Sequence, residues 1–288
     1  MVVWQFDLES NVNLASALQT AARRYCIERF AFWADRYMEI VRSGRDRHGC
    51  DYTPEALAVF PRYNVLNAIR IEIERLDSDI LCDLDDTREM LILAGSVAED
   101  DFTRRSICEI DANVMAEERD SFCQFVCGNS NADLLCVEQL PYQRVLTRPE
   151  SEQLWGDLCD RWQMKKKNYW FPLDVHPRAE LMAFDASAFQ EHCPPLVLRN
   201  ALTARGVSRL WELREYGPEY AQAVALFDPH YNGAEGYWTS REMDWIVYAS
   251  HEDSITVGGW LLEDIKSAWS DWAKYVWNRD DACRANPT

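Results

Sequence analysis

The stretch YNGAEGYWTSREMDWIVYASHEDSITVGGW, residues 231–260, decides the fold of the C-terminal half of this chain. It contains three short runs rich in aromatic and β-branched residues, and polar breaks separate them. Alternation along the middle run places Trp245 and Val247 on one face of a strand and Ile246 and Tyr248 on the other. The pattern predicts three strands, at residues 237–239, 244–250 and 254–259, with a hairpin turn at 251–254.

Further short strands and helices are predicted before and after this stretch. Strands are expected at residues 134–139, 143–146, 169–173, 181–184, 207–215 and 220–227. Helices are expected at 147–167, at 187–205 with a break at Pro194 and Pro195, and at 260–277. The C-terminal half is therefore predicted to be a mostly antiparallel β-sheet with helices packed on it.

The N-terminal half has a helical pattern. Apolar residues at three- and four-residue steps predict helices at 11–40, 54–76, 87–97 and 106–126, the second of which Pro61 divides. Thr53 before Pro54 is a typical N-cap, and residues 127–133 are rich in turn formers and suit a linker. The predicted fold class is α+β, with an all-helical domain at 1–127 and a domain at 134–288 that holds the antiparallel sheet.

The charge of the chain excludes several partners. The 288 residues include 48 acidic and 30 basic side chains, which gives a net charge of −18. Because such a chain repels phosphate, binding to nucleic acid or to an anionic membrane is disfavoured. The acidity suits a basic protein partner or simply solubility, and composition leaves both interpretations open.

The composition also indicates a folded protein of the cytoplasm. Apolar residues make up 48% of the chain, which is enough for a core. Residues 1–13 lack the cationic and apolar regions of a secretory signal, and no apolar run approaches the ~20 residues that cross a bilayer. The ten cysteines are scattered rather than densely spaced, as expected of reduced thiols.

Catalytic and metal-binding signatures are weak. His251 lies between Ser250 and Glu252, but neighbouring strand residues point to opposite faces and no G-x-S-x-G motif is present. His251 and Glu252 with Glu235 or Asp244 have metal-ligand chemistry, but H-E-x-x-H and paired C-x-x-C motifs are lacking. The glycines form no phosphate-binding pattern. We therefore expect no catalytic set, no metal and no cofactor.

Ten polar and aromatic residues are candidates for a binding site. Three lie in W-E-L-R-E-Y at 211–216, and the others lie in the stretch at 231–260. Strand pairing can bring the two segments together, either as ordinary cross-strand ion pairs or as an acidic pocket with one guanidinium. The candidates are Glu212, Arg214, Glu215, Glu235, Tyr237, Trp238, Asp244, Tyr248, His251 and Glu252.

The same segments resemble a family of uncharacterised bacterial proteins. The likeness rests on W-E-L-R-E-Y-G at 211–217, E-G-Y-W-T-S at 235–240, D-W-x-x-Y-x-S-H-E at 244–252 and x-I-T-x-G-G at 254–259. It spans residues 140–277 and leaves the helical half outside. Some members are associated with toxin–immunity neighbourhoods, so the resemblance implies a bacterial cytoplasmic protein with an immunity role and carries over no catalytic residue.

Two function classes are expected. The first is an acidic binding protein, most concretely a bacterial immunity protein that neutralises a cognate toxin by covering its active site. The second is an enzyme of undefined class whose polar pocket is built from Glu212, Arg214, Glu235, Tyr248, His251 and Glu252. One concave pocket lined by these side chains favours the enzyme, and their dispersal into separate ion pairs argues against it.

Overall fold

A computed structural model of the chain describes residues 13–165, 170–174 and 180–278. Contacts divide the chain into two units, Met1–Leu140 and Pro141–Thr288. The first unit is helical, and the second is built on a seven-stranded antiparallel sheet. The predicted α+β fold class is confirmed.

The N-terminal unit contains the four long helices that the apolar periodicity predicts. Its elements are α1 (Leu14–Arg42), β1 (Arg47–His48), β2 (Asp51–Tyr52), α2 (Pro54–Leu57), α3 (Phe60–Glu74), α4 (Leu84–Val97), α5 (Glu109–Gly128) and α6 (Asn131–Leu134). Asn13 caps α1, and Thr53 caps α2 by accepting a hydrogen bond from the Ala56 N–H. Helix α4 begins before residue 87 because Asp83 caps it through the Asp86 N–H.

A buried carboxylate ties three helices of this unit together. Glu118 on α5 is 1% exposed and accepts hydrogen bonds from Arg29 on α1 at 2.7 and 3.0 Å. Arg62 on α3 adds a bond of 2.9 Å, and the Trp33 indole N–H adds one of 3.1 Å. Because buried charges are tolerated only when paired and hydrogen-bonded, these partners make the polar centre compatible with the surrounding apolar core.

The C-terminal unit interleaves strands with helices. Its elements are β3 (Gln143–Val145), α7 (Arg148–Trp162), β4 (Leu181–Asp185), α8 (Ala186–His192), α9 (Pro195–Ala204), β5 (Arg209–Arg214), β6 (Tyr220–Ala223), β7 (Gly236–Thr239), β8 (Trp245–Ser250), β9 (Ser254–Gly259) and α10 (Trp260–Ala268). The strand order is β3-β6-β5-β7-β8-β9-β4, and every pair is antiparallel. The stretch at 231–260 therefore supplies three adjacent strands, as predicted.

Helices cover both faces of this sheet. On one face, Trp245 and Val247 of β8 share a core with α8, α9 and α10. On the other face, Ile246 and Tyr248 pack against Trp155 of α7. Alternate side chains of β8 thus pack into two separate cores, which explains why all six residues of β8 are buried.

Two predicted strands are wrong. Helix α6 ends at Leu134, which lies in the helical core, and residues 135–139 form no strand. The cause is local, because Ser130 and Asp133 form a capping box that starts a helical turn just before the apolar run. Within the predicted strand at 169–173, the described residues 170–173 form a turn, and residue 169 lies outside the described ranges.

Two predicted helices end early. Helix α7 ends at Trp162, where Gln163 adopts a left-handed conformation with φ of 49°, and residues 166–167 lie outside the described ranges. Helix α10 ends at Ala268 instead of continuing to 277. The chain then turns back to β4, where the Trp277 N–H donates to the Ala183 carbonyl at 2.9 Å. Tertiary pairing overrides the helical periodicity there.

Candidate functional site

Four of the predicted site residues meet at one end of the sheet. Glu215 follows β5, Glu235 precedes β7, and His251 and Glu252 follow β8. Because these neighbouring strands are antiparallel, the end of β5, the start of β7 and the end of β8 lie side by side. The Glu215 N–H donates to the Glu235 carbonyl at 3.0 Å, which continues the ladder beyond the last paired strand residue.

Two exposed tyrosines lie with these four residues. The Tyr231 ring centroid is 6.3 Å from that of His251. Tyr216 interacts with Glu215, whose hydrogen bond raises the pKa of this tyrosine. Neither tyrosine was predicted as a site residue, although Tyr216 lies in the motif at 211–217 and Tyr231 begins the stretch at 231–260. We call Glu215, Tyr216, Tyr231, Glu235, His251 and Glu252 the acidic–aromatic site.

His251 is held between two carboxylates. Its Nδ1 forms a short hydrogen bond with Glu235 Oε1, and its Nε2 lies 3.3 Å from Glu252 Oε1. The His251 backbone N–H also donates to Glu235 Oε1, at 3.2 Å. The hydrogen bond with Glu235 raises the pKa of His251, and burial of the ring opposes this effect. The arrangement therefore favours the imidazolium form.

Glu235 is the buried carboxylate of the site. It is 4% exposed, and its Oε2 atom has no hydrogen-bond partner. Tyr248 lies beneath it, stacked on Tyr237 with 4.6 Å between ring centroids. Burial, reinforced by the charges of Tyr237 and Glu235, raises the pKa of Tyr248. Its hydroxyl is close enough to be influenced by Glu235, although no hydrogen bond of normal geometry joins them.

The turn that carries His251 is fixed from two sides. The Glu252 N–H donates to the buried Ser250 hydroxyl at 2.9 Å. The Trp277 indole N–H donates to the Glu252 carbonyl at 3.0 Å. Ser250 thus stabilises the turn, while both ring nitrogens of His251 face carboxylates. This differs from a nucleophile–base pair, in which the imidazole accepts the hydroxyl proton.

Glu212 and Arg214 form a separate pair on the opposite face of the sheet. Arg214 Nη1 lies 3.2 Å from Glu212 Oε1, and Gln222 donates to Glu212 Oε2 at 3.3 Å. Burial raises the pKa of Glu212, and the Arg214 charge opposes the shift. Glu212 pairs in register with Trp238, which belongs to the core beneath α8, α9 and α10. The six residues proposed for an enzyme pocket are therefore divided between two faces.

The remaining candidates have packing roles or lie away from the site. Tyr237 and Trp238 are buried in the two cores, one on each face. Asp244 is exposed just before β8, and its carbonyl leaves no space for a side chain at Gly259, whose φ is 70°. Across the described ranges, no group of three or more His, Cys, Asp or Glu residues is placed to hold a metal ion.

A groove-like pocket of about 410 Å³ lies in the N-terminal unit, between α1, the end of α5 and residues 136–138. Tyr25 and Phe125 stack on its wall with 4.5 Å between centroids, and Arg24 donates to the Glu138 carbonyl at 2.7 Å. Cationic and anionic side chains share its rim, since Glu28 also lines it. The groove therefore has no charge preference comparable to that of the acidic–aromatic site.

No protein-family model matches this chain, and neither a curated protein nor a solved structure is detectably similar to it. None of the described helices is long and apolar enough to cross a membrane.

Proposed function

We propose that this chain is a cytoplasmic binding protein that captures a basic protein partner, and that the partner is a cognate toxin neutralised by direct contact. The observation that carries the proposal is the acidic–aromatic site. It combines three carboxylates with two exposed tyrosines, and none of its six residues is lysine or arginine. Tyrosine is enriched among the residues that dominate binding energy at protein interfaces.

The charge of the whole chain supports the same proposal. At −18, the protein attracts a basic partner from a distance, which raises the association rate and makes it sensitive to salt. Toxins that act on nucleic acid need cationic surfaces, so an acidic inhibitor complements them. No family model supports the resemblance predicted for residues 140–277, so that prediction contributes only the choice of a toxin as the basic partner.

Binding is favoured over catalysis by the placement of the side chains. Glu212 and Arg214 lie on the opposite face of the sheet from Glu235 and Tyr248, so they do not share one pocket. Both His251 ring nitrogens face carboxylates, which leaves neither directed at a nucleophile. These carboxylates favour the imidazolium form of His251, which cannot accept a proton.

The proposal is tested by co-expressing the chain with the product of the adjacent gene. We expect a complex that co-purifies, weakens as salt rises and protects cells from that product. The adjacent product alone is the control for toxicity. If no complex forms and no protection is seen, the proposal is wrong.

A further inference from the structure

We infer that the acidic–aromatic site binds one arginine side chain of the protein partner, with Glu215 and Glu252 as its carboxylate ligands and the rings of Tyr216 and Tyr231 as its aromatic walls. This inference rests on the proposed function, because it names the group that the partner presents. It concerns only the C-terminal unit.

The site carries an excess of negative charge, which favours binding of a cation. Three glutamates surround one histidine, so the site keeps an excess of negative charge even when His251 is protonated. The guanidinium of Arg214 is not paired with these carboxylates, because it contacts Glu212 and the Asn232 side-chain oxygen instead. A cationic group of the partner would therefore neutralise the excess negative charge of these carboxylates.

Hydrogen-bond acceptors outnumber donors among the side chains of the site. Glu235 is 4% exposed, and no hydrogen bond of normal geometry reaches its Oε2, although the Tyr248 hydroxyl lies near this carboxylate. The same side chain already accepts from both the ring and the backbone N–H of His251. A ligand with several N–H groups suits a cluster of acceptors of this kind.

Arginine fits these features better than lysine. Its planar guanidinium carries five donors in a fixed fork, which matches carboxylates, and it stacks on aromatic faces. The site offers both kinds of contact, since carboxylates and tyrosine rings lie within one cluster. An ammonium group has three donors around a compact charge and gains less from a flat ring surface.

The exposure of the site favours an arginine on a protein over a small free ligand. Tyr216 is 61% exposed and Tyr231 is 45% exposed, so the aromatic walls stand open to the surroundings. Small-molecule sites usually enclose most of their ligand, which this open arrangement does not do. A protein partner covers such walls with its own surface when it docks, and the contacts then strengthen as water is displaced.

The test uses the full chain and two synthetic peptides, hexa-arginine and hexa-lysine, with affinities measured by calorimetry at low salt. We expect hexa-arginine to bind more tightly than hexa-lysine. Glu252→Gln and Glu215→Gln should each weaken hexa-arginine binding by about fivefold, the upper end for a partly exposed ion pair. Glu242→Gln is the matched control, because it removes the same charge from an exposed position of the same unit and should change the affinity far less.

A ring variant separates stacking from charge. Tyr231→Leu keeps an apolar side chain but removes the aromatic face, so it should reduce the preference for arginine over lysine without abolishing binding. Circular dichroism of each variant checks that the fold is retained. If Glu252→Gln and Glu215→Gln behave like Glu242→Gln, or if the two peptides bind equally well, the arginine site is refuted.

The same variants distinguish this inference from the proposed function. If the partner complex forms and protects cells, but neither glutamate variant weakens it, then the binding function stands and the arginine site is wrong. If no partner complex forms while hexa-arginine binds through Glu215 and Glu252, then the site stands and the immunity function is wrong.

Discussion

Replacing Glu118 with glutamine should strongly destabilise the N-terminal unit. The substitution keeps the size of the side chain but removes its charge and replaces one oxygen with an NH₂ group. Glu118 now accepts four hydrogen bonds, from Arg29, Arg62 and Trp33. In the variant, an amide donor faces guanidinium donors, and Arg62 loses its buried partner.

The expected cost follows from burial. Breaking a buried ion pair by removing one partner costs roughly 3–5 kcal/mol. Arg29 is partly exposed and recovers some hydration, so we expect the lower end, about 3 kcal/mol. Glu117→Gln is the matched control, because Glu117 is the next residue, pairs with the same Arg62 and is 62% exposed. It should cost less than about 1 kcal/mol.

Hydrogen exchange measured by mass spectrometry is the suitable assay, because it reports on α1, α3 and α5 separately from the C-terminal unit. A loss of about 3 kcal/mol corresponds to exchange about 100-fold faster in the most protected amides of these helices. Urea unfolding followed by circular dichroism provides a second measure. If Glu118→Gln and Glu117→Gln differ by less than about 1 kcal/mol, then burial of this network does not determine its contribution, and the reasoning is wrong.

Three further predictions concern the C-terminal unit. The pKa of His251, measured by NMR, should lie above its ordinary value and should fall in Glu235→Gln; a normal pKa would contradict this. Because the folded-state pKa is raised, the stabilisation from His251 is fully present below the unfolded-state pKa and is lost as pH rises through the folded-state pKa. Gly258→Ala should lower stability by about 1–3 kcal/mol, because the added carbon would lie 2.5 Å from the Leu181 side chain. Gly156→Ala, in open space on α7, should raise stability by about 0.5–1 kcal/mol, and equal urea midpoints for the two variants would refute the contrast. Trp155→Phe removes the 2.5 Å hydrogen bond from the indole N–H to the buried Glu219 carboxylate. It should lower the free energy of unfolding by about 1–3 kcal/mol, and an unchanged urea midpoint would show that this hydrogen bond is dispensable.

Much of the architecture was predictable because its signals are local. The steps of three and four residues in α1 and the alternation in β8 depend on neighbours within a few positions. The antiparallel unit at 231–260 was predictable for the same reason, since its strands are adjacent in the chain and joined by short turns. The apolar run after residue 134 was misjudged because helix and strand both accommodate a few apolar residues, and a capping box decided between them.

The candidate site was only partly predictable. His251 and Glu252 stood out by residue type, but their meeting with Glu235 depends on the register of β7 against β8, in which Gly236 lies opposite Ala249. The register of β5 against β7 likewise places Glu215 beside Glu235. Tyr216 and Tyr231 lie outside regular strands, where no periodicity assigns a direction to a side chain.

The amino-acid sequence by itself determined the fold class, the sites of most helices and strands, and an acidity that disfavours nucleic acid and suits a basic partner. Only the tertiary structure decided which charged residues belong together. Glu212 and Glu215 lie three positions apart in one segment, yet alternation and strand pairing send them to opposite faces of the sheet. The physical reason is that the pattern of side chains along a helix or strand depends on residues close together in the sequence. A site depends instead on the register between strands whose residues can lie far apart in the sequence.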